Sequence, residues 1–137
     1  MTGKRNTVQI ILFSILFLWQ LPQNLVALGI LLFSKKIRVI GYRHYCLVLE
    51  ARLPKGAGGI SLGNFAIVCS ECSSDKRIIR HEADGHTVDS KIFGPLYLLV
   101  IGLPSALHLM WYNHHGTGKN YHDFYTERWA DCHAGLR

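Results

Sequence analysis

Arg80-His81-Glu82-Ala83-Asp84-Gly85-His86-Thr87 is the stretch on which the reading of this chain turns. Two imidazoles and a carboxylate within one short segment supply metal donors and a base. On a regular helix, however, His81 and His86 are five residues apart and point about 140° away from each other. Two arrangements bring donors back to one ion. A π-bulge over Ala83-Asp84-Gly85 would absorb one residue and restore a shared face. Alternatively Glu82 and His86, four apart, form the ligand pair and His81 stands outside. A helix start whose polar residues simply face water is the third reading.

The segment is similar to the zinc-peptidase helix motif His-Glu-x-x-His, lengthened by one residue. In that motif both histidines bind one ion and the glutamate acts as general base on metal-bound water. A second half follows downstream in Thr126-Glu127-Arg128-Trp129-Ala130-Asp131, where Glu127 and Asp131 share a helix face. Gluzincin peptidases use such a Glu-x-x-x-Asp helix for the third ligand, the aspartate orienting a ligand or a helix end from behind. A solvated amphipathic face, paired with Arg128 and Arg137, is the competing reading of Glu127 and Asp131.

Four motifs in order widen the resemblance: Gly58-Gly59-Ile60-Ser61-Leu62-Gly63, the His-Glu…Gly-His segment, Gly94-Pro95-Leu96-Tyr97 and Phe124-Tyr125-Thr126-Glu127-Arg128-Trp129-Ala130-Asp131. Over residues 35–135 the chain resembles a family of small, uncharacterised bacterial membrane proteins. Members of that family read His-Glu-Tyr-Gly-His in the central motif, and this chain departs from it where Ala83-Asp84 replaces one residue. The resemblance implies a minimal gluzincin-like core and no particular substrate. Carried onto this chain, it implies zinc held by His81, His86 and Glu127, Glu82 as base and Asp131 as orienter. The strand at Ile60–Val68 would then edge a cleft and pair with an extended peptide.

Around these motifs the patterning gives an α+β chain of one domain, residues 1–137, arranged as a helical membrane protein with a small antiparallel sheet. Residues 8–33 are apolar and long enough to span a bilayer, but Gln20-Leu21-Pro22-Gln23-Asn24 divides them. They form either one kinked span or two short helices that dip in and return. Strands are expected over 37–40, 45–51 and 60–68, within a sheet region of 37–70. The metal helix is expected over 75–90, capped from Ser73-Ser74-Asp75. A second apolar segment, 92–112, is expected to reverse at Gly102-Leu103-Pro104-Ser105, because His81, His86 and Glu127 must meet on one membrane face. The Glu-x-x-x-Asp helix is expected over 123–132.

Composition narrows the partners. The 15 Lys and Arg exceed the 9 Asp and Glu, for a formal net charge of +6. Ten of those cations lie between residues 34 and 91 among six acids, and Lys4-Arg5 precede the first apolar run. That pattern suits the flanks of membrane segments and not a nucleic-acid footprint. The expected partners are the lipid bilayer and a peptide or protein substrate, with the site facing the cytoplasm. The first apolar run is too long for a secretory signal and lacks a small-residue cleavage site. Cys69-Ser70-Glu71-Cys72 lacks the second pair a zinc ribbon needs, so both thiols are expected to be reduced and incidental, as is Cys132-His133. Of the further histidines His108, His114, His115 and His122, the first is expected in a core or interface and the 114–115 pair in solvent.

Overall fold

The computed structural model describes residues 6–116 and 120–137; Lys4 and Arg5 lie outside them. The described chain is α+β, with helices packed around a four-stranded mixed sheet.

The first apolar run forms α1 (Thr7–Trp19) and α2 (Leu21–Phe33), bent by 95° at Gln20. Pro22 lies in the first turn of α2, where a missing N–H costs nothing. The amides at the break are fully buried and tie the bend to the rest of the fold. Asn24 Nδ2 donates to Phe17 O (2.9 Å) and Asn64 Oδ1 (3.1 Å), while its Oδ1 accepts from Asn64 N (2.8 Å). Gln23 Nε2 donates to Ser90 Oγ (3.1 Å) and to Gly94 O (2.8 Å). Among the described residues no single helix is long and apolar enough to cross a membrane; two bent pairs, Thr7–Phe33 and Lys76–His115, meet that test by length and composition.

The sheet contains β1 (Arg38–Arg43), β2 (Cys46–Ala51), β3 (Gly59–Leu62) and β4 (Phe65–Cys69), in the order β1-β2-β4-β3. It is mixed and not antiparallel throughout: β1 with β2 and β3 with β4 run antiparallel, whereas β2 and β4 are parallel. The physical reason is a turn inside the expected strand 60–68. Gly63 takes φ +63°, and with Asn64 it makes a two-residue hairpin loop. The chain reverses there, so its second half lies along β2 in the parallel sense. Covered on both faces, β4 reads as an unbroken apolar run with Phe65 to Val68 all buried.

From Asp75 the chain enters α3 (Lys76–Arg80), a π-helical turn (His81–His86) and α4 (Thr87–Phe93). The cap is made by Asp75 Oδ1, which accepts from Arg77 N at 2.8 Å. The chain then bends by 119° around Gly94–Tyr97. The reversal expected at Gly102-Leu103-Pro104-Ser105 is therefore made eight residues earlier. Gly94 adopts φ +50° against the Trp19 indole, and Pro95 follows it in the turn. Pro104 instead sits in the first turn of α5 (Leu103–His115), following a π-helical turn at Leu98–Gly102, where it breaks nothing. A short turn (Tyr121–Asp123) leads to α6 (Tyr125–His133).

Two apolar clusters hold these layers together. One joins Ala27, Leu49, Leu62, Phe65, Tyr97 and Ile101; the other sets Ala83 of the π turn against Cys46, Val48 and Ala66. Much apolar surface is left outside. Leu18, Leu32, Phe33, Leu99 and Met110 are all at least two-thirds exposed.

Candidate metal centre

The π turn decides the site. Its i→i+5 hydrogen bonds bring residues five apart onto one face, so the extra residue of the motif is absorbed where Ala83-Asp84-Gly85 sits. His81 and His86 are both buried, with ring centroids 4.8 Å apart. Neighbouring side chains hold the bulge. Arg43 at the end of β1 grips Asp84 through two hydrogen bonds of 2.9 and 2.6 Å, and Thr87 Oγ1 donates to the Ala83 carbonyl.

α6 packs directly across this turn. At Gly85 an added Cβ would lie 2.4 Å from the Ala130 carbonyl oxygen, so only glycine permits the approach. That contact delivers Glu127 and Asp131 to the histidines. His81 Nε2 lies 2.9 Å from Glu127 Oε2, and His86 Nε2 lies 3.6 Å from the same oxygen. Ligand atoms around a tetrahedral ion with bonds of ~2.0–2.1 Å stand about 3.3 Å apart, between these two values. The other oxygen, Oε1, is engaged elsewhere: it accepts from Ser105 Oγ at 2.8 Å and Thr126 Oγ1 at 3.2 Å. Glu127 thus presents one oxygen to the histidines.

Behind each imidazole stands a buried aspartate. Asp131 Oδ1 is 2.8 Å from His81 Nδ1. Asp89 Oδ2 is 3.4 Å from His86 Nδ1, and Asp89 Oδ1 is 2.8 Å from His133 Nδ1. Neither Asp89 oxygen nor His86 Nδ1 has hydrogen-bond geometry to a partner, although all three atoms are buried. A buried imidazole nitrogen facing a buried carboxylate oxygen fits the orienting contact that a metal-bound histidine uses. Asp89 was missed in the sequence, although it follows His86 by three residues on the same helix and the spacing alone could have flagged it.

The electrostatics agree. Burial alone would lower the His86 pKa, but the Asp89, Glu127 and Glu82 carboxylates outweigh it and hold His86 up to about 10. Burial also opposes the charge on His81, and Glu127 and Glu82 again prevail, raising it. For Glu127 burial favours the neutral acid, yet His81 and His86 drive its pKa far below the ordinary carboxylate range. The pocket is a negatively lined cage in which a cation is favoured.

Glu82 takes a separate place. Its Oε2 accepts from Ser61 Oγ at 2.5 Å, and the bare backbone of Gly59 lets the side chain lie against β3, where a Cβ would come within 2.6 Å of Glu82 Cγ. This position argues against the arrangement in which Glu82, His86 and Glu127 are the ligands and His81 stands outside: His81, not Glu82, points at Glu127. Glu127 and Asp131 are buried in the centre, not on a solvated face.

His122 lies here too. One donor atom from each of His81, His122 and Glu127 falls within 4.8 Å of the others, a group able to hold a metal ion. Burial, opposed by the Asp131 carboxylate, lowers the His122 pKa. Of the remaining histidines, His108 is half-buried and stacks on Phe124 at 4.2 Å between centroids, as expected of a core ring, and His114 and His115 are exposed. The Cys69 and Cys72 expectation is corrected. The turn after β4 brings their Cα atoms to 5.1 Å and the two are joined as a disulfide, while Cys46 is buried and free and Cys132 exposed and free.

Comparison with known proteins found no matching family model, curated protein or solved structure.

Proposed function

We propose that this chain is a membrane-associated zinc metallopeptidase-like protein, with Zn2+ held by His81, His86 and Glu127. The observation that carries the reading is the convergence of two imidazoles, each backed by a buried aspartate, on one oxygen of Glu127. That pattern of ligand and orienting carboxylate is how proteins fix imidazoles on zinc. When bound, the ion would polarise a carbonyl and acidify a water molecule. The protein's own residues supply the rest. Asp131 and Asp89 set the ring orientations, Ser105 and Thr126 fix the Glu127 carboxylate, and Glu82, poised beside β3, takes the proton.

A peptide or protein substrate suits the position of the sheet. β3 is an edge strand, and ladder alternation points the backbone groups of Gly59 and Ser61 away from β4, with Glu82 lying over the adjoining face of the strand. The Tyr97 hydroxyl already donates to Ser61 O at 2.9 Å, so the free edge is short. The exposed apolar faces of α1, α2 and α5 suit a lipid bilayer, with the buried amides at Gln20, Gln23 and Asn24 turned inward as a membrane requires. By the positive flanks, residues 35–91 and the site with them face the cytoplasm of the cell membrane.

The test compares wild-type protein with Glu82→Gln in detergent, using zinc content and cleavage of a mixed quenched-fluorescent peptide library. The expected result is equal zinc with hydrolysis lost in the variant. A second reading, an inactive binding or scaffold module on the same fold, is favoured by the presence of a third histidine, His122, beside the centre. Zinc in both proteins with hydrolysis in neither would select it.

A further inference from the structure

We infer that His122 is a fourth protein ligand to the ion held by His81, His86 and Glu127, closing the resting site against water. The inference rests on the metal-centre reading above and concerns how that centre is regulated.

His81 is flanked by two imidazoles set almost perpendicular to it: His86, with centroids 4.8 Å apart at 86°, and His122, 5.1 Å apart at 87°. The two approaches match, and the first belongs to a ligand pair. A ring nitrogen of His122 shares a 4.8 Å neighbourhood with donors of His81 and Glu127. Ligand atoms on a tetrahedral ion stand about 3.3 Å apart, so His81, His122 and Glu127 close on one ion with ~1.5 Å of movement, while His86 lies outside that group and joins it through its 3.6 Å approach to Glu127 Oε2. His122 Nδ1 is buried and has no hydrogen-bond partner, although Asp131 Oδ2 lies 3.4 Å away. A ring this close to two donors, with a buried nitrogen unspent, is placed as a ligand and not as a packed core residue.

The backbone under His122 is anchored independently of its ring. Asn120 Oδ1 accepts from His122 N at 3.1 Å, and Arg137 Nη2 donates to His122 O at 3.1 Å. Its carrier differs from those of the other ligands. His81, His86 and Glu127 sit on packed helical segments, whereas His122 sits in a three-residue turn, with its side chain 36% exposed. It is the ligand able to leave. Zinc sites with four protein ligands are closed and catalytic sites keep a position open. The resting chain is therefore inert until a substrate carbonyl or another anionic or carbonyl oxygen displaces His122.

The experiment reconstitutes the detergent-purified full chain with Zn2+ for X-ray absorption and with Co2+ for visible spectra, titrating azide as the probe. Wild type, His122→Ala and His122→Gln are compared; the Gln variant retains a polar side chain of similar bulk if the Ala variant does not fold. The expected result is three imidazoles on zinc in wild type and two in the variants. Azide should shift the Co2+ spectrum of the variants at concentrations at least ~10-fold lower than in wild type. Two imidazoles in every protein, with equal azide responses, would overturn this inference and leave the three-ligand centre standing. Absence of metal from wild type as well would overturn both.

Discussion

Gly85→Ala isolates the packing that assembles the centre without touching a ligand. The new Cβ would meet Ala130 O at 2.4 Å, Ala130 C at 2.9 Å and Ala130 Cα at 3.0 Å, all backbone. An unstrained contact needs about 3.4 Å, so α6 must retreat by about 1 Å or the π turn must deform. Neither can happen cheaply, because Arg80 Nη2 ties the same helix end at Ala134 O (2.6 Å) and His81 is hydrogen-bonded to Asp131. Overpacking of this kind costs ~1–3 kcal/mol of stability. A displacement of about 1 Å at Glu127 also exceeds, several-fold, the ~0.2 Å tolerance of a zinc bond. Zinc affinity should therefore fall by at least about ten-fold, a loss as large as that of a broken ligand-orienting contact. Competition with a chelating dye on the detergent-purified protein reads the affinity, and thermal unfolding of the apo chain reads the stability. Gly29→Ala is the control: it lies within α2 with nothing within 4 Å of the added carbon, and should leave zinc binding unchanged. Wild-type zinc affinity in Gly85→Ala would refute the view that the close approach of α6 builds the site.

Three further outcomes follow from the same geometry. Asp89→Asn removes the charge behind His86 and should weaken zinc binding by about 10–100-fold in the same dye competition; an unchanged affinity would make Asp89 incidental. Zinc uptake should be proton-coupled: His86 rises from an ordinary 6.5 to about 10 in the metal-free chain, so binding must displace its proton and affinity should increase up to ~10-fold per pH unit between those values. By the same sign, the charged His86 stabilises the metal-free fold fully below 6.5, and that contribution is lost as pH rises through about 10; a pH-independent zinc affinity would contradict both statements. Cys69 and Cys72 should react with an alkylating reagent only after a reductant is added, because the two are joined as a disulfide. Labelling of both without reductant would contradict that pairing.

Much of the centre was legible because ligand chemistry demands particular side chains. His81, Glu82, His86, Glu127 and Asp131 were all named by residue type and spacing, and the structure brings the two histidines to one oxygen of Glu127, with Asp131 behind His81. The π-bulge was legible for the same reason: two histidines five apart meet on a helix only if a residue is absorbed. The break in the first apolar run was marked by Gln20 to Asn24, although nothing local said that these amides would be buried against Asn64 and Ser90. What escaped depends on contacts distant in sequence. The parallel pairing of β2 with β4 rests on a Gly63-Asn64 turn hidden inside an apolar run, which periodicity alone reads as one strand. The bend at Gly94 rather than Gly102 is set by Trp19, 75 residues earlier, packing against a glycine at φ +50°. His122 could not be ranked above His108 or the 114–115 pair, because its place beside His81 is created by the return of the chain through α5.

The central claim is that one divalent ion is held between the π turn and α6. Metal analysis of the detergent-purified chain, beside His86→Ala and Glu127→Ala, tests it most directly. The account predicts one zinc per wild-type chain and a fall in affinity of at least about ten-fold in each variant. Wild-type protein without metal, or variants that keep the wild-type zinc content through dialysis against a weak chelator, would contradict it.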